Sequence, residues 1–486
     1  LVGSEMCIRD RNILSTYLSD SKKTGTRFLG TLACMCGLMS ALTATAQDFY
    51  VTPDGQAPTD YKGEVIENAW TGTATVTLTT LGEALEQAQP GDEIWVQGFE
   101  QVTDLAKQVY VVPVNTDGFV LKSGVKLYGG FKGNEKSLED RATLGEAYQF
   151  TYRSILSADR QTNGASEIDK IDPALLIYPG SPTRGDNALH VLQLQLNAAT
   201  ENNANAYRTE VDGFTIVGGH ARGAYGGGIY VQGGEYSTSY TIRRCFFFNN
   251  YAQQGGAIYV DAEAGRNYTT DDSYINQCVV YNNVAGEMAT VSNSGAGIYL
   301  AGRGTIVNTA VFNNENGGVR ISAEARIVNS TITRNTAAGV DLIATGTSTD
   351  QRVVNTVIWG NTRPFIQYNP GFRHSAYHEV TAADGTNGNI YVGDKNNDRN
   401  NPSPFFESPS TRISFDRDFN WQYNAYPLWS WNILEGSAFA GKGDVTAYDK
   451  DKYGPWDLRG DTWNTETFSM GAYQLSLIHI SEPTRP

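Results

Sequence analysis

Ile275-Asn276-Gln277-Cys278-Val279-Val280-Tyr281-Asn282 and Val328-Asn329-Ser330-Thr331-Ile332-Thr333-Arg334-Asn335 are two copies of one phrase. An aliphatic residue is followed by Asn, two variable residues, an apolar residue, two more, and Asn. Further copies run Ile242-Arg243…Phe246…Asn249, Val307-Asn308…Val311…Asn314 and Val354-Asn355…Ile358…Asn361. Their starts lie 33, 32, 21 and 26 residues apart. A constant phrase on an elastic spacing marks a solenoid, in which each unit is one coil, stacked neighbours share the core and insertions leave as loops.

A second phrase alternates with the first. It reads Gly226-Gly227-Gly228-Ile229-Tyr230-Val231, Gly255-Gly256-Ala257-Ile258-Tyr259-Val260 and Gly295-Ala296-Gly297-Ile298-Tyr299-Leu300, with weaker copies at Gly317–Ile321 and Ala338–Leu342. Strand alternation sends Ile229, Ile258, Ile298, Val319 and Val340 to the core and turns Tyr230, Tyr259, Tyr299, Arg320 and Asp341 outward. In the first phrase Phe246, Val279, Val311, Ile332 and Ile358 are expected inside. Asn276, Asn308, Asn329 and Asn355, and likewise Asn282, Asn314, Asn335 and Asn361, are expected at corners as stacked ladders, since Asn tolerates left-handed backbone and its amide bonds to the Asn above. The fold class is therefore all-β, a single-stranded parallel β-helix.

The ends belong to other categories. Residues 1–11 and 475–486 resemble a translated sequencing adapter, because Leu1–Asp10 and Leu475–Arg485 can be encoded by reverse-complementary DNA; the gene is expected to be cut after Gln474. Residues 12–46 contain a secretory signal: Lys22, Lys23 and Arg27, an apolar run from Phe28 to Leu42, and Ala44-Thr45-Ala46 before Gln47. An exported chain, extracellular or on the outer cell surface, is the expectation, with no membrane span. The whole sequence carries −15, and removing the +2 of the signal segment leaves −17. That balance argues against nucleic acid and anionic membrane as partners. A solenoid of this kind is expected to be a monomer.

In chain order, Thr80-Leu81-Gly82-Glu83 forms a capping box for a helix over Leu81–Gln89, placed to cover the first coil. The β-helix spans 47–378, with regular coils over about 211–368. Residues 379–404 are a polar loop, and 405–474, rich in tryptophan, form a closing segment over the last coil.

With these phrases in view, the chain resembles the right-handed parallel β-helix repeat proteins exported by Bacteroidota, and more loosely the repeats of polymorphic outer-membrane proteins. Tyr50–Gly55, Gly91–Val96, Val125–Phe131, Ser154–Ser157 and Asp186–Val191 share in the likeness. Asp457-Leu458-Arg459-Gly460 and Met470–Gln474 resemble the segment that in such proteins precedes a surface-sorting domain. The resemblance implies a fold and leaves activity open.

Chemistry has few candidates. Asn115-Thr116-Asp117-Gly118 and Gly219-His220 resemble motifs of β-helical polygalacturonases, yet Asp271-Asp272 follows the His where that family has its acids first, so such a hydrolase is not expected. A lyase acting on acidic polysaccharide needs a basic residue or calcium to remove the proton beside a uronate carboxyl; Arg320 beside Asp341 is the candidate, against a plain cross-strand ion pair. Asp394, Asn396 and Asp398 have the oxygen spacing of a calcium loop without its Gly and distal Glu. His190, His220, His374 and His378 show no metal spacing, and no other cofactor is indicated. Cys245 and Cys278 occupy the same place in successive coils, as a disulfide or as two stacked small hydrophobes. The outward Tyr230, Tyr259 and Tyr299 make a stiff strip with hydroxyl handles, suited to polysaccharide or a surface glycan, or serving only as an aromatic ladder. Binding without catalysis is the reading favoured by these residues.

Overall fold

The structure, a computed structural model, describes residues 47–144, 148–160, 162, 184–265, 272–286, 295–322, 324–343, 352–366, 371–378, 385–393, 405–408, 430–434 and 436–475. It is an all-β parallel β-helix. Three parallel sheets of 11, 10 and 8 strands carry the coils. One coil visits the first sheet at Ser239–Arg243, the second at Phe246–Phe248 and the third at Ile258–Val260, then returns to the first at Tyr274–Asn276. A short three-stranded sheet, His220–Tyr225, Tyr251–Gln254 and Val284–Ala285, bridges the second and third. Among the described residues no helix is long and apolar enough to cross a membrane.

The interior is filled by inward columns from all three sheets. Ile242, Ile275, Ile306 and Ile327 come from the first, Val280, Val311, Ile332 and Ile358 from the second, and Ile229, Ile258, Ile298, Val319 and Val340 from the third. At the N-terminal end the helix Leu81–Gln87, two residues shorter than its pattern, has the expected Thr80–Glu83 capping box. It adds Leu81, Ala84 and Leu85 to the same core as Phe49, Val51 and Ile94, so apolar side chains of the first coil are covered.

The first phrase needs a correction of register. Ile242 and Ile275 pair with Ile306, not Val307, and Phe247 and Val280 pair through to Val311. Phe247 and Val280 therefore point inward, while Phe246 and Val279, expected inside, lie on the outer face of the second sheet. A one-residue slip reverses every side chain of a strand. Asn249-Asn250 and Asn282-Asn283 are doublets, and either member could anchor the phrase; the structure uses the second.

The buried ladder is accordingly Asn250, Asn283, Asn314, Asn335 and Asn361, each fully buried. Nδ2 of each donates to Oδ1 of the next at 2.9–3.0 Å. Each Oδ1 from Asn283 to Asn361 also accepts the backbone N–H of the preceding ladder member. Asn282 instead takes the left-handed corner, as do Asn308, Asn329 and Asn355 in the other column. The corner level with Asn308 is held by Gln277, not by the expected Asn276, which pairs with Val307 one residue earlier; Asn308 still donates to Asn276 Oδ1 at 3.2 Å, and Asn355 to Asn329 Oδ1 at 3.1 Å.

The two phrases interlock. A Cβ added to Gly318 or Gly339 would lie 2.8 or 2.5 Å from the Nδ2 of Asn335 or Asn361. Glycine before the third sheet is thus the space into which the asparagine ladder fits.

The coils also continue beyond Tyr368: Ala376–Tyr377 pairs with Ile390–Tyr391, inside the expected polar loop. The C-terminal segment is not confined to the last coil. Trp431 and Phe406 pack with Phe312 and Trp359 on the outer face of the second sheet, and Tyr448, Trp463 and Phe468 cover Val307 and Val328 of the first. The tryptophan-rich composition follows from this lateral role, since an outward apolar sheet face needs large side chains to cover it.

Candidate functional site

The third sheet presents the outward column in the expected register. Tyr230 pairs with Tyr259, Tyr259 with Tyr299, Tyr299 with Arg320, and Arg320 with Asp341. Ring centroids of Tyr230 and Tyr259 lie 5.9 Å apart, and those of Tyr259 and Tyr299 lie 5.2 Å apart and edge-on. Two rings not anticipated widen the strip. Tyr225, 40 % exposed, stacks on Tyr259 at 4.7 Å, and His190 stacks on Tyr230 at 5.4 Å. Tyr225 ends the short bridging-sheet strand ahead of Gly226, so no repeat position pointed to it.

Burial, with neighbouring Asp261, pushes the Tyr230 hydroxyl up; burial, Tyr299 and Asp261 do the same for Tyr259. Burial also raises Tyr299, partly offset by Arg320. All three stay protonated at neutral pH and serve as neutral donors. Tyr230 Oη donates to Asp261 at 3.4 Å. His190 Nδ1–H donates to the Gly226 carbonyl at 2.7 Å, and burial lowers its imidazole, so the ring beside Tyr230 is a neutral stacking partner.

Arg320 closes the strip. Its guanidinium lies 5.1 Å above the Tyr299 ring, and its Nε stands 3.2 Å from Asp341. Burial raises the Asp341 carboxyl, against the lowering charges of Arg320 and Arg363. The pair sits where a cross-strand ion pair sits, with the cation engaged on two sides.

Cys245 and Cys278 are free thiols, both buried. Of the two readings left open, the structure holds the unbridged one. Their column is one of donors: Cys245 and Cys278 reach the carbonyl two residues back, as the Thr309, Ser330 and Thr356 hydroxyls do. Burial, then hydrogen bonding with Cys245, pushes the Cys278 thiol well up. Asp394, Asn396 and Asp398 lie outside the described residues. Among those described, no group of three His, Cys, Asp or Glu side chains could hold a metal ion. His220 is buried, its Nδ1–H donating to the Arg184 carbonyl at 2.9 Å.

Sequence reasoning missed a cluster on the first sheet. Asp212, fully buried, receives Arg244 Nε at 2.8 Å, Arg244 Nη2, and Arg141 Nη2 at 3.0 Å, and lies 3.3 Å from Arg243 Nε. Burial alone would raise this carboxyl; the Arg244, Arg141 and Arg243 charges outweigh it and hold the group well below the usual carboxylate range. The pairing of Asp212 with Arg243 one coil on was readable from a correct register. The Arg141 contact, 71 residues away, was not.

No protein-family model matches this sequence, and no curated protein matches it. Among solved structures, pectate lyase Pel9A superposes with a TM-score of 0.42 at 10 % identity, over 89 % of this chain and 98 % of that one.

Proposed function

We propose that this is an exported, surface-located β-helix protein that binds glycan along the outer face of its third sheet, without chemistry of its own. The observation that carries this reading is the in-register aromatic strip: Tyr230, Tyr259 and Tyr299 one coil apart, widened by Tyr225 and His190. Sugar rings stack on such rings through their C–H faces, and neutral hydroxyls at the edges supply orientation. A rigid sheet holds the rings, so little ordering entropy is lost on binding. Arg320 and Asp341 bound the strip as a pair and act as its polar rim. Affinity electrophoresis through gels cast with individual neutral and acidic polysaccharides tests the reading. Retardation by at least one glycan, weakened in Tyr259→Ala with the protein still folded, is expected; no retardation in any gel removes it. An absorbance rise from unsaturated product would show a lyase instead.

A further inference from the structure

The first sheet is covered twice by chain from elsewhere. Near its start, Arg141 donates to the Gly129 carbonyl at 2.9 Å and to Asp212, with its guanidinium 4.7 Å from the Phe150 ring. From Asn276 onward the C-terminal segment takes over: Asn276 Nδ2 donates to the Tyr453 carbonyl at 3.0 Å and Gln277 Nε2 to the Asp457 carbonyl at 2.6 Å. Between the two covers lies a cleft of about 510 Å³, lined by Arg141, Phe150, Arg243, Arg244, Tyr274 and Trp456.

The cleft has more cation donors than its own acceptors use. Asp212 and Glu210 engage the Nε atoms of Arg243 and Arg244 and one terminal nitrogen of Arg244. Among the described residues no acceptor meets the two terminal nitrogens of Arg243 or Nη1 of Arg244. Both side chains keep part of their surface open, 33 % for Arg243 and 22 % for Arg244. Trp456 is 51 % exposed, while its carbonyl is pinned by Asn308 at 3.1 Å. Lys452, paired with Asp272 at 3.4 Å, and the acids Glu139 and Asp451 complete the charged lining.

We propose that this cleft is a second binding site, for a sugar that carries a carboxylate. Unfilled guanidinium N–H groups match carboxylate oxygens and give little to a neutral hydroxyl. The half-exposed indole in the same cleft offers a flat face to a sugar ring, which a bare anion leaves unused. The cleft belongs to the first sheet and the tyrosine strip to the third, so this site stands independently of the reading above.

Calorimetric titration of the folded protein tests it, with trigalacturonate, a glucuronate trisaccharide, the methyl ester of each, and a short glutamate peptide as probes. At least one acidic sugar binds, and its ester and the peptide bind at least about tenfold more weakly. Arg243→Gln and Trp456→Ala each weaken the acidic sugar by roughly tenfold or more, and Tyr259→Ala, in the third-sheet strip, is run beside them to separate the two sites. Arg243 touches buried Asp212, so its variant is first checked by circular dichroism; Trp456→Ala removes an exposed ring and keeps the test decisive if the arginine variant does not fold. Absence of binding by both acidic sugars overturns the proposal. Equal affinity for ester or peptide, full affinity in Trp456→Ala, or a loss confined to Tyr259→Ala overturns it as well.

Discussion

Asn355 and Asp444 exchange two hydrogen bonds: Asn355 Nδ2 donates to the Asp444 carbonyl at 2.8 Å, and the Asp444 amide returns one to Asn355 Oδ1 at 2.7 Å. This pair is one rung of a seam along the first-sheet corner. Asn308 Nδ2 reaches Tyr448 Oη at 2.8 Å, and Gly471 N reaches the Asn355 carbonyl at 2.7 Å. The corner asparagines therefore do two things at once. They adopt the left-handed turn, and they hold the C-terminal segment against the coils.

Asn355→Gly keeps that turn and removes both bonds, together with the Asn355 bond to Asn329 Oδ1. We expect a loss of about 1–3 kcal/mol, felt first in the C-terminal segment. Hydrogen exchange should speed up over 444–474 while the core amides at 298–300 and 319–321 stay protected; uniform acceleration would show that the segment and the coils unfold as one unit.

Asn314 lies in the middle of the buried ladder. Asn314→Ala leaves the Asn283 backbone N–H without its acceptor and takes the Asn314 Nδ2 donor from the Val280 and Phe312 carbonyls and from Asn335 Oδ1, deep in the coil. A cost of about 3 kcal/mol is expected from the unmet groups together. Denaturant unfolding measures it, and a change near zero would mean that water enters the ladder.

Ala337 sits at φ +59°, in the column where Gly226, Gly255 and Gly295 also have positive φ. An L-residue with a Cβ is strained there. Ala337→Gly should therefore stabilise by about 1 kcal/mol, visible as a higher melting temperature, against the usual penalty for glycine.

Acid should act in two stages. Burial, with the Arg184 and Arg222 charges, pushes His220 down to about 4 from its ordinary 6.5, so the unfolded chain takes a proton first. The stability of the neutral ring is whole above about pH 6.5 and is lost as pH falls toward 4. Asp212 lies below its ordinary value of 3.8, so its contribution is present above that value and drains away at lower pH. Urea midpoints from pH 7 to 3 should show both declines. His220→Asn, which preserves a donor to the Arg184 carbonyl, should abolish only the first.

How much of this was legible in the sequence depended on what each residue contacts. The Gly-Ile-Tyr phrase has one aromatic between two aliphatics, and its register was unambiguous; the outward tyrosines and the Arg320–Asp341 pair are where that alternation puts them. The asparagine phrase carries doublets, and a period of two converts a one-residue ambiguity into the wrong face, which is how Phe246 and Val279 exchanged places with Phe247 and Val280. The seam at Asn355 and the cluster at Asp212 join residues 89 and 71 apart. No local pattern encodes such pairings, because they depend on how unlike segments fold back across the coils. Tyr225 escaped for a related reason: its stacking on Tyr259 comes from the bridging sheet, outside both repeats.

On the reading proposed above, the third-sheet tyrosines bind a glycan as a strip. Its most direct test is titration of the retarding polysaccharide, cut to oligosaccharides, into wild-type protein and into Tyr230→Ala, Tyr259→Ala and Tyr299→Ala. The strip predicts weaker binding in all three, with the middle ring, Tyr259, costing the most, roughly tenfold or more. Unchanged affinity in Tyr259→Ala, with the protein folded, would contradict it.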